Sequence, residues 1–279
     1  MTNHASTRFP RAVLAATAVL VVLAVGTTPA ARADSIVTAD AFVPAVKVVG
    51  ATGTFVTDVF IFNPDPTNNA EVYLYFTPAD TDGTNSVPLK ITPDLAPRET
   101  VTLADILGRY FGENGTFGLL EVQGSVPLLV TSNTYNVAGA LAGTYGQYSP
   151  GQPYRASLGF DDSVYGNLYV AGLPNDPNYR VNAAIQNPTK YRLYAGVQLV
   201  DAVGFVYGTR TFEIPPFSQT QLNDVFGSVF ASFGPPRGDS YRLNFYVDVN
   251  NGARILSYAT ITDTRTGDPY LVPGQAMVP

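Results

Sequence analysis

The chain carries its own sequence twice, and that duplication limits the folds open to it more than any other feature. Residues 55–64 (FVTDVFIFNP) line up with residues 179–188 (YRVNAAIQNP) at an offset of 124. Residues 103–108 (LADILG) match residues 222–227 (LNDVFG) at an offset of 119. Leu128-Leu129 falls against Ile255-Leu256, and Pro150-Gly151-Gln152 recurs as Pro273-Gly274-Gln275. The landmarks keep their order while the offsets drift by a few residues, as loop insertions between two copies produce. Each unit is roughly 115 residues, from about 40 to 152 and from about 165 to 275, which suits one domain per copy rather than a solenoid repeat.

Within each copy the local signal is β. Residues 56–62 are apolar, rich in β-branched and aromatic side chains, and stop at Asn63-Pro64; residues 71–76 follow and stop at Pro78. In the second copy residues 193–200 are such a run, followed by residues 204–211. Residues 241–249 and 254–262 are two further runs joined by Asn250-Asn251-Gly252, a turn that favours positive φ and predicts a hairpin. Residues 118–122 and 128–135, joined through Gly124-Ser125, are the first-copy counterpart. Short runs with turn signals at this spacing predict antiparallel sandwiches.

One segment per copy breaks the pattern. Residues 102–111 and 221–230 place apolar side chains three and four apart. Leu103, Ile106, Leu107 and Tyr110 share a helical face, as do Leu222, Val225, Phe226 and Val229. Thr100 or Thr102 is placed to cap the first of these. The expectation is an all-β protein of two tandem antiparallel sandwiches, residues 34–153 and 154–279, each crossed at one end by a short structural helix. Residues 154–167 are either a linker or an added strand.

The N-terminus reads as an export signal. Arg8 and Arg11 precede an apolar stretch over residues 12–26, and Ala31-Arg32-Ala33 supplies a small-x-small cleavage pattern, so residues 1–33 are expected to be removed. An apolar run of about 15 residues falls short of the roughly 20 needed to cross a bilayer. No cysteine follows to take a lipid and no twin arginine precedes, which points to the general secretory route. The expected product is secreted to the periplasm, cell surface or medium, with no membrane insertion after cleavage. Removing Arg8, Arg11 and Arg32 leaves 13 basic residues against 22 acidic ones, a net charge of −9. Such a surface disfavours nucleic acid, whose phosphates require clustered Lys and Arg.

The only histidine, His4, lies inside the expected signal, and the chain has no cysteine and no tryptophan. The exported chain therefore cannot build a Ser-His-Asp relay, a Cys-His pair or an imidazole or thiolate zinc site. No catalytic residue and no cofactor is expected. Asp80, Asp82 and Asn85 surround a glycine at alternate positions as calcium loops do, although Ile91 occupies the place of the twelfth, acidic ligand. The same residues make an ordinary turn. Asp161-Asp162 and residues 263–268 are weaker versions of that pattern.

Carboxylate pairs for glycoside hydrolysis have candidates in Glu71, Glu99, Asp105, Glu121, Glu213 and Asp224. Asp105 and Asp224 occupy equivalent places in the two copies, as repeated helix caps do. Among the 17 tyrosines, Tyr145, Tyr148 and Tyr154 lie near the junction and are candidates for stacking on sugar rings.

Residues 257–270 (SYATITDTRTGDPY), with Val272-Pro273, residues 179–182 (YRVN) and the Leu-x-Asp-Val stretch at 222–225, resemble secreted bacterial tandem β-sandwich repeat proteins. The resemblance covers most of the exported chain. It implies immunoglobulin-like sandwiches and an exported location, and it implies no activity. The expected role is non-catalytic: adhesion, scaffolding, or recognition of an extracellular protein or glycan. A carboxylate-dependent polysaccharide hydrolase and a calcium-stabilised surface protein remain the alternatives.

Overall fold

The computed structural model describes residues 37–50, 53–137, 146–164 and 167–276. The expected signal and Tyr145 lie outside the described residues. In the first half, β1 (Thr38–Gly50) turns back into β2 (Gly53–Phe62), and β3 (Val72–Pro78), β4 (Leu89–Lys90) and β5 (Thr100–Leu103) follow. The 21-residue β6 (Thr116–Asn136) comes next, then β7 (Gly146–Pro150) and β8 (Gln152–Pro153). β6 belongs to both layers of a sandwich. Its first part lies between β1 and β3, its second part pairs with β2 and β7, and every pairing is antiparallel.

The second half builds the same layers from separate strands. β10 (Leu168–Asn175), β12 (Leu193–Val200), β13 (Val206–Ile214), β15 (Gly238–Val247) and β18 (Gln275–Ala276) form one sheet in the order β13-β12-β15-β10-β18. β11 (Tyr179–Gln186), β14 (Gln219–Leu222), β16 (Arg254–Asp263) and β17 (Pro269–Pro273) form the other in the order β14-β11-β16-β17, with the short β9 (Leu158–Gly159) beside β16. Leu158 to Gly159 thus adds a strand, which settles part of the 154–167 segment.

The pairing registers repeat at the offsets read from the sequence. Val59 faces Leu103 in the first half and Ala183 faces Leu222 in the second. Phe62 faces Leu129, and Gln186 faces Leu256. Thr131 faces Pro150, and Tyr258 faces Pro273. Each half buries its own core: Val43, Ile61, Leu74, Leu120 and Val130 in the first, Val170, Ile185, Val197, Phe245 and Ile261 in the second.

Two expectations need correction. The run before each helix is strand, not helix: β5 and β14 are held in the sheet by β2 and β11, so Leu103 and Leu222 are strand residues. π-helical turns begin only at Ile106 and Val225. Their caps are Asp105 and Asp224, both in the left-handed region, whose carboxylates accept the Gly108 and Gly227 N–H groups; Thr100 and Thr102 do not cap. The second correction concerns Asn250-Asn251-Gly252. Gly252 does adopt φ 86, but β15 and β16 sit in different sheets, so the turn carries the chain across the sandwich rather than closing a hairpin. Among the described residues no helix is long and apolar enough to cross a membrane.

The repeated Asn-Pro is a staple. Asn63 is fully buried, and its Nδ2 donates to the carbonyls of Asn68, Leu95 and Ala96. Asn187 is equally buried and donates to those of Tyr191, Ile214 and Pro215, while its Oδ1 accepts from the Thr189 N–H and hydroxyl. Asn187→Ala leaves these carbonyls without a donor and should cost roughly 2–3 kcal/mol in urea unfolding. Asn187→Asp keeps the shape but has no N–H to give. It should be destabilised as much at pH 7, and an Asp variant with wild-type stability would remove the donor explanation.

Candidate functional site

Alternation along the strands leaves one face of each sheet outside its own core, and two of these outer faces meet. Val43 and Leu120 point into the first core, so Phe42 and Leu119 point outward; there they pack against Leu256 of β16. All three are essentially inaccessible. A buried polar ladder runs beside them. Gln152 Nε2 of β8 donates to Gln186 Oε1 at 3.3 Å, and Gln186 Nε2 donates to Gln219 Oε1 at 3.3 Å. The loop after β3 closes the seam: the Asp80 N–H donates to the Gln219 carbonyl at 3.0 Å and the Gly83 N–H to the Pro216 carbonyl at 2.9 Å.

A cavity of about 170 Å³ remains in this seam. Leu119, Glu121 and Gln123 of β6 and Tyr75 and Thr77 of β3 form its floor; Gly83, Thr84 and Ser86 of the loop and Phe217 of the second half close it. Gly83 is there because nothing larger fits: a Cβ would lie 2.4 Å from Thr77 Oγ1 and 2.9 Å from Phe217 Cβ. Phe217 itself sits at φ 48, a conformation a bulky aromatic residue adopts only under constraint, and its N–H is tied to the Thr189 carbonyl at 2.9 Å. Both sides of the seam are therefore shaped for this contact.

Glu121 is the chemically distinctive group. It stands between Phe42 and Tyr75 on the neighbouring strands, and its carboxylate accepts a 2.7 Å hydrogen bond from Gln123 Nε2. Asp40 is one register step away on β1. Burial strips water from the Glu121 carboxylate and pushes its pKa up to about 7; the Asp40 charge adds to that and the Gln123 bond opposes it. Burial raises Asp40 as well.

The other carboxylates singled out in the sequence are committed locally. Glu71 pairs with Lys90 and Glu213 with Arg192; Glu99 accepts the Ala96 N–H. Asp105 pairs with Lys47 besides capping its helical turn. Of the calcium candidates, Asp80 accepts from the Thr220 hydroxyl at 2.6 Å across the seam, Asp82 accepts from the N–H and hydroxyl of Thr84, and Asn85 is exposed. Asp161 accepts from Asn250, Asp162 pairs with Arg254, and Arg265 holds the Asp263 carboxyl far below its usual range. Among the described residues no three acidic or other metal-ligating side chains are grouped to hold an ion.

Tyr148 and Tyr154, the stacking candidates among the described residues, do not line the cavity. Tyr148 on β7 is exposed, and the ring of Tyr154 carries the Arg254 guanidinium 5.9 Å from its centroid. Sequence reasoning named Glu121 only as one acid among several. The signal that separates it is an acid flanked by Leu119 and Gln123 on the outward positions of a strand whose inward positions are all apolar. Phe217 carried no comparable signal, since Pro215-Pro216-Phe217-Ser218 reads as a plain turn.

No family model matches the chain, and no curated protein matches it. Among solved structures, the crystal structure of Thermotoga maritima 1070 is 13% identical over 41% of this chain and 92% of that one, at a TM-score of 0.32. The Ruminococcus gnavus β-glucuronidase in complex with uronic isofagomine matches 85% of this chain and 34% of that one, at 12% identity and a TM-score of 0.15. A glycosyl hydrolase family 2 member from Bacteroides cellulosilyticus matches 84% of this chain and 28% of that one, at 10% identity and a TM-score of 0.15. The chain thus spans about a third or less of either enzyme, and the likeness to all three is weak.

Two outcomes follow from the seam geometry. Between its ordinary value of 4.5 and about 7, Glu121 binds more proton in the folded chain than in the unfolded one. Its contribution is therefore fully favourable at lower pH and is lost as pH rises through 7. At about 1.4 kcal/mol for each pH unit between 4.5 and about 7 the loss is at most about 3.5 kcal/mol. Glu121→Gln should remove that slope, so the variant melts higher than wild type at pH 8 and the two converge near pH 5. EDTA should leave the melting temperature unmoved, since Asp80 and Asp82 already have protein donors.

Proposed function

We propose that the exported chain is a non-catalytic recognition protein whose ligand site is the seam cavity between its two sandwiches. The observation that carries this reading is that the cavity lies on the outer face of the first half and is closed where the second half docks. Most of the lining, the Gly83 turn included, belongs to the first half, and Phe217 of the second half closes it. Two aromatic rings beside hydroxyl, amide and carboxyl groups is the mixture small concave sites use to hold and orient a polar ligand. The cavity is smaller than a drug-sized pocket, which fits a single sugar ring better than a folded partner. That favours the glycan side of the recognition reading over the protein side. The immunoglobulin-like repeat and the export signal support placing this activity outside the cell.

One observation favours a second reading. Glu121 is a partly protonated acid near neutral pH with Asp40 beside it, and a general acid near a second carboxylate is what glycoside hydrolysis requires. Against it, Asp40 does not line the cavity. A polysaccharide and oligosaccharide array followed by a reducing-end assay separates the two. The binding reading expects retention of a saccharide with no release of reducing ends. Release that disappears in Glu121→Gln would establish the hydrolase instead.

A further inference from the structure

Glu121 is the one carboxylate among the described residues that line the cavity, and no cation stands with it there. Several acids elsewhere do find a cation: Asp105 has Lys47, Glu71 and Asp94 share Lys90, and Asp162 has Arg254. Around the cavity the described lining contains no Lys or Arg, and the nearest charged group on the neighbouring strand is another acid, Asp40. A half-buried carboxylate left so is costly, because the charge loses water and gains only one amide donor in exchange.

The second half shows that the fold does not require these acids. By the same register, Glu121 corresponds to Asn244 and Asp40 to Asn167. Asn244 is satisfied among neutral and basic neighbours: its Oδ1 accepts from Arg242 Nε and its Nδ2 reaches Gln198 Oε1 at 3.5 Å. An amide serves the sandwich there. Both positions carry a negative charge only in the half whose outer face forms the cavity floor.

We propose that the cavity's ligand is an amino sugar, its ammonium group meeting the Glu121 carboxylate while its ring lies between Tyr75 and Phe217. This rests on the reading of the cavity as a ligand site. The aromatic faces favour a cation as well as a sugar ring. Thr77 and Ser86, whose hydroxyls lie 3.0 Å apart, and Gln123 are placed to bond the remaining ring hydroxyls. The net charge of −6 on the whole chain draws a cationic ligand and repels an anionic one.

Calorimetric titration of the exported chain at pH 7 with glucosamine, glucose and Nα-acetyl-lysine amide tests this. Glucosamine should bind at least 10-fold more tightly than either other probe. Glu121→Gln, checked for native melting, should erase that advantage, so that glucosamine and glucose bind the variant alike. Equal binding of glucosamine and glucose overturns the amine inference and leaves the cavity as a neutral-sugar site. Lysine amide binding as well as glucosamine overturns the ring and makes a basic side chain the occupant. If none of the three probes binds, the reading of the cavity as a ligand site falls with it.

Discussion

Burial of a sheet's outer face is the constraint on which the rest of this molecule depends. A sandwich is complete once its two inner faces meet, and its outer faces ordinarily remain wet. Here Phe42, Leu119 and Leu256 close one outer face against another, and burying a sheet surface also buries the polar groups along it. The Gln152–Gln186–Gln219 ladder answers that demand, each amide serving as the next one's partner. The main-chain bonds from Asp80 and Gly83 complete it at the rim. A polar network is worth burying only when its members are all satisfied, and that requirement fixes one docking geometry among the many that apolar contact alone would tolerate.

The two halves share their pairing registers and differ at the seam. Both halves keep the buried asparagine before proline and the aspartate that caps the helical turn, because those side chains answer to backbone groups within their own half. What each half does with the surface beyond differs. Asp105 accepts from Lys47, whereas Asp224, with the same cap, has no ion pair among the described residues, and Pro174 stands where the register puts Lys47. Backbone demands preserve a residue across the two copies; solvent-facing positions are free to acquire or lose charge.

The same distinction decides how much was legible. Offsets of 124 and 119 between sequence landmarks reappear as pairing registers, and residues 193–200 are β12 without adjustment, because period-two burial and turn residues act locally. The helical segments were located, yet their first residues were assigned wrongly. Leu103 and Leu222 satisfy a helical period and a strand edge equally well, and pairing with β2 and β11 decides between them. The seam was not legible. Leu119 sits among Leu120 and Val122 in a run that reads as ordinary strand core, and nothing local says that Leu119 belongs to an interface while Leu120 belongs to the sandwich. Asp80, Asp82 and Asn85 stand out in the sequence by their oxygens, but no local pattern announces the contact that Asp80 makes. Thr220, 140 residues away, takes up the Asp80 carboxylate.

The seam also has a direction. It joins the outer face of the β1, β3 and β6 layer in one half to the outer face of the β11, β14 and β16 layer in the other. A contact between two different faces of a repeated unit does not close on itself and would propagate. In the second half the face equivalent to the cavity floor carries Arg242 where the first half has Leu119, Tyr169 where it has Phe42, and Asn244 where it has Glu121. Arg242 is held flat across that face by Asn244 and the Asp201 carbonyl. Docking another unit there would bury a guanidinium against a leucine-sized gap without a carboxylate to meet it, at a cost that apolar contact of this extent does not offset. Three outward positions therefore set the face that the first half presents at the seam apart from its counterpart in the second.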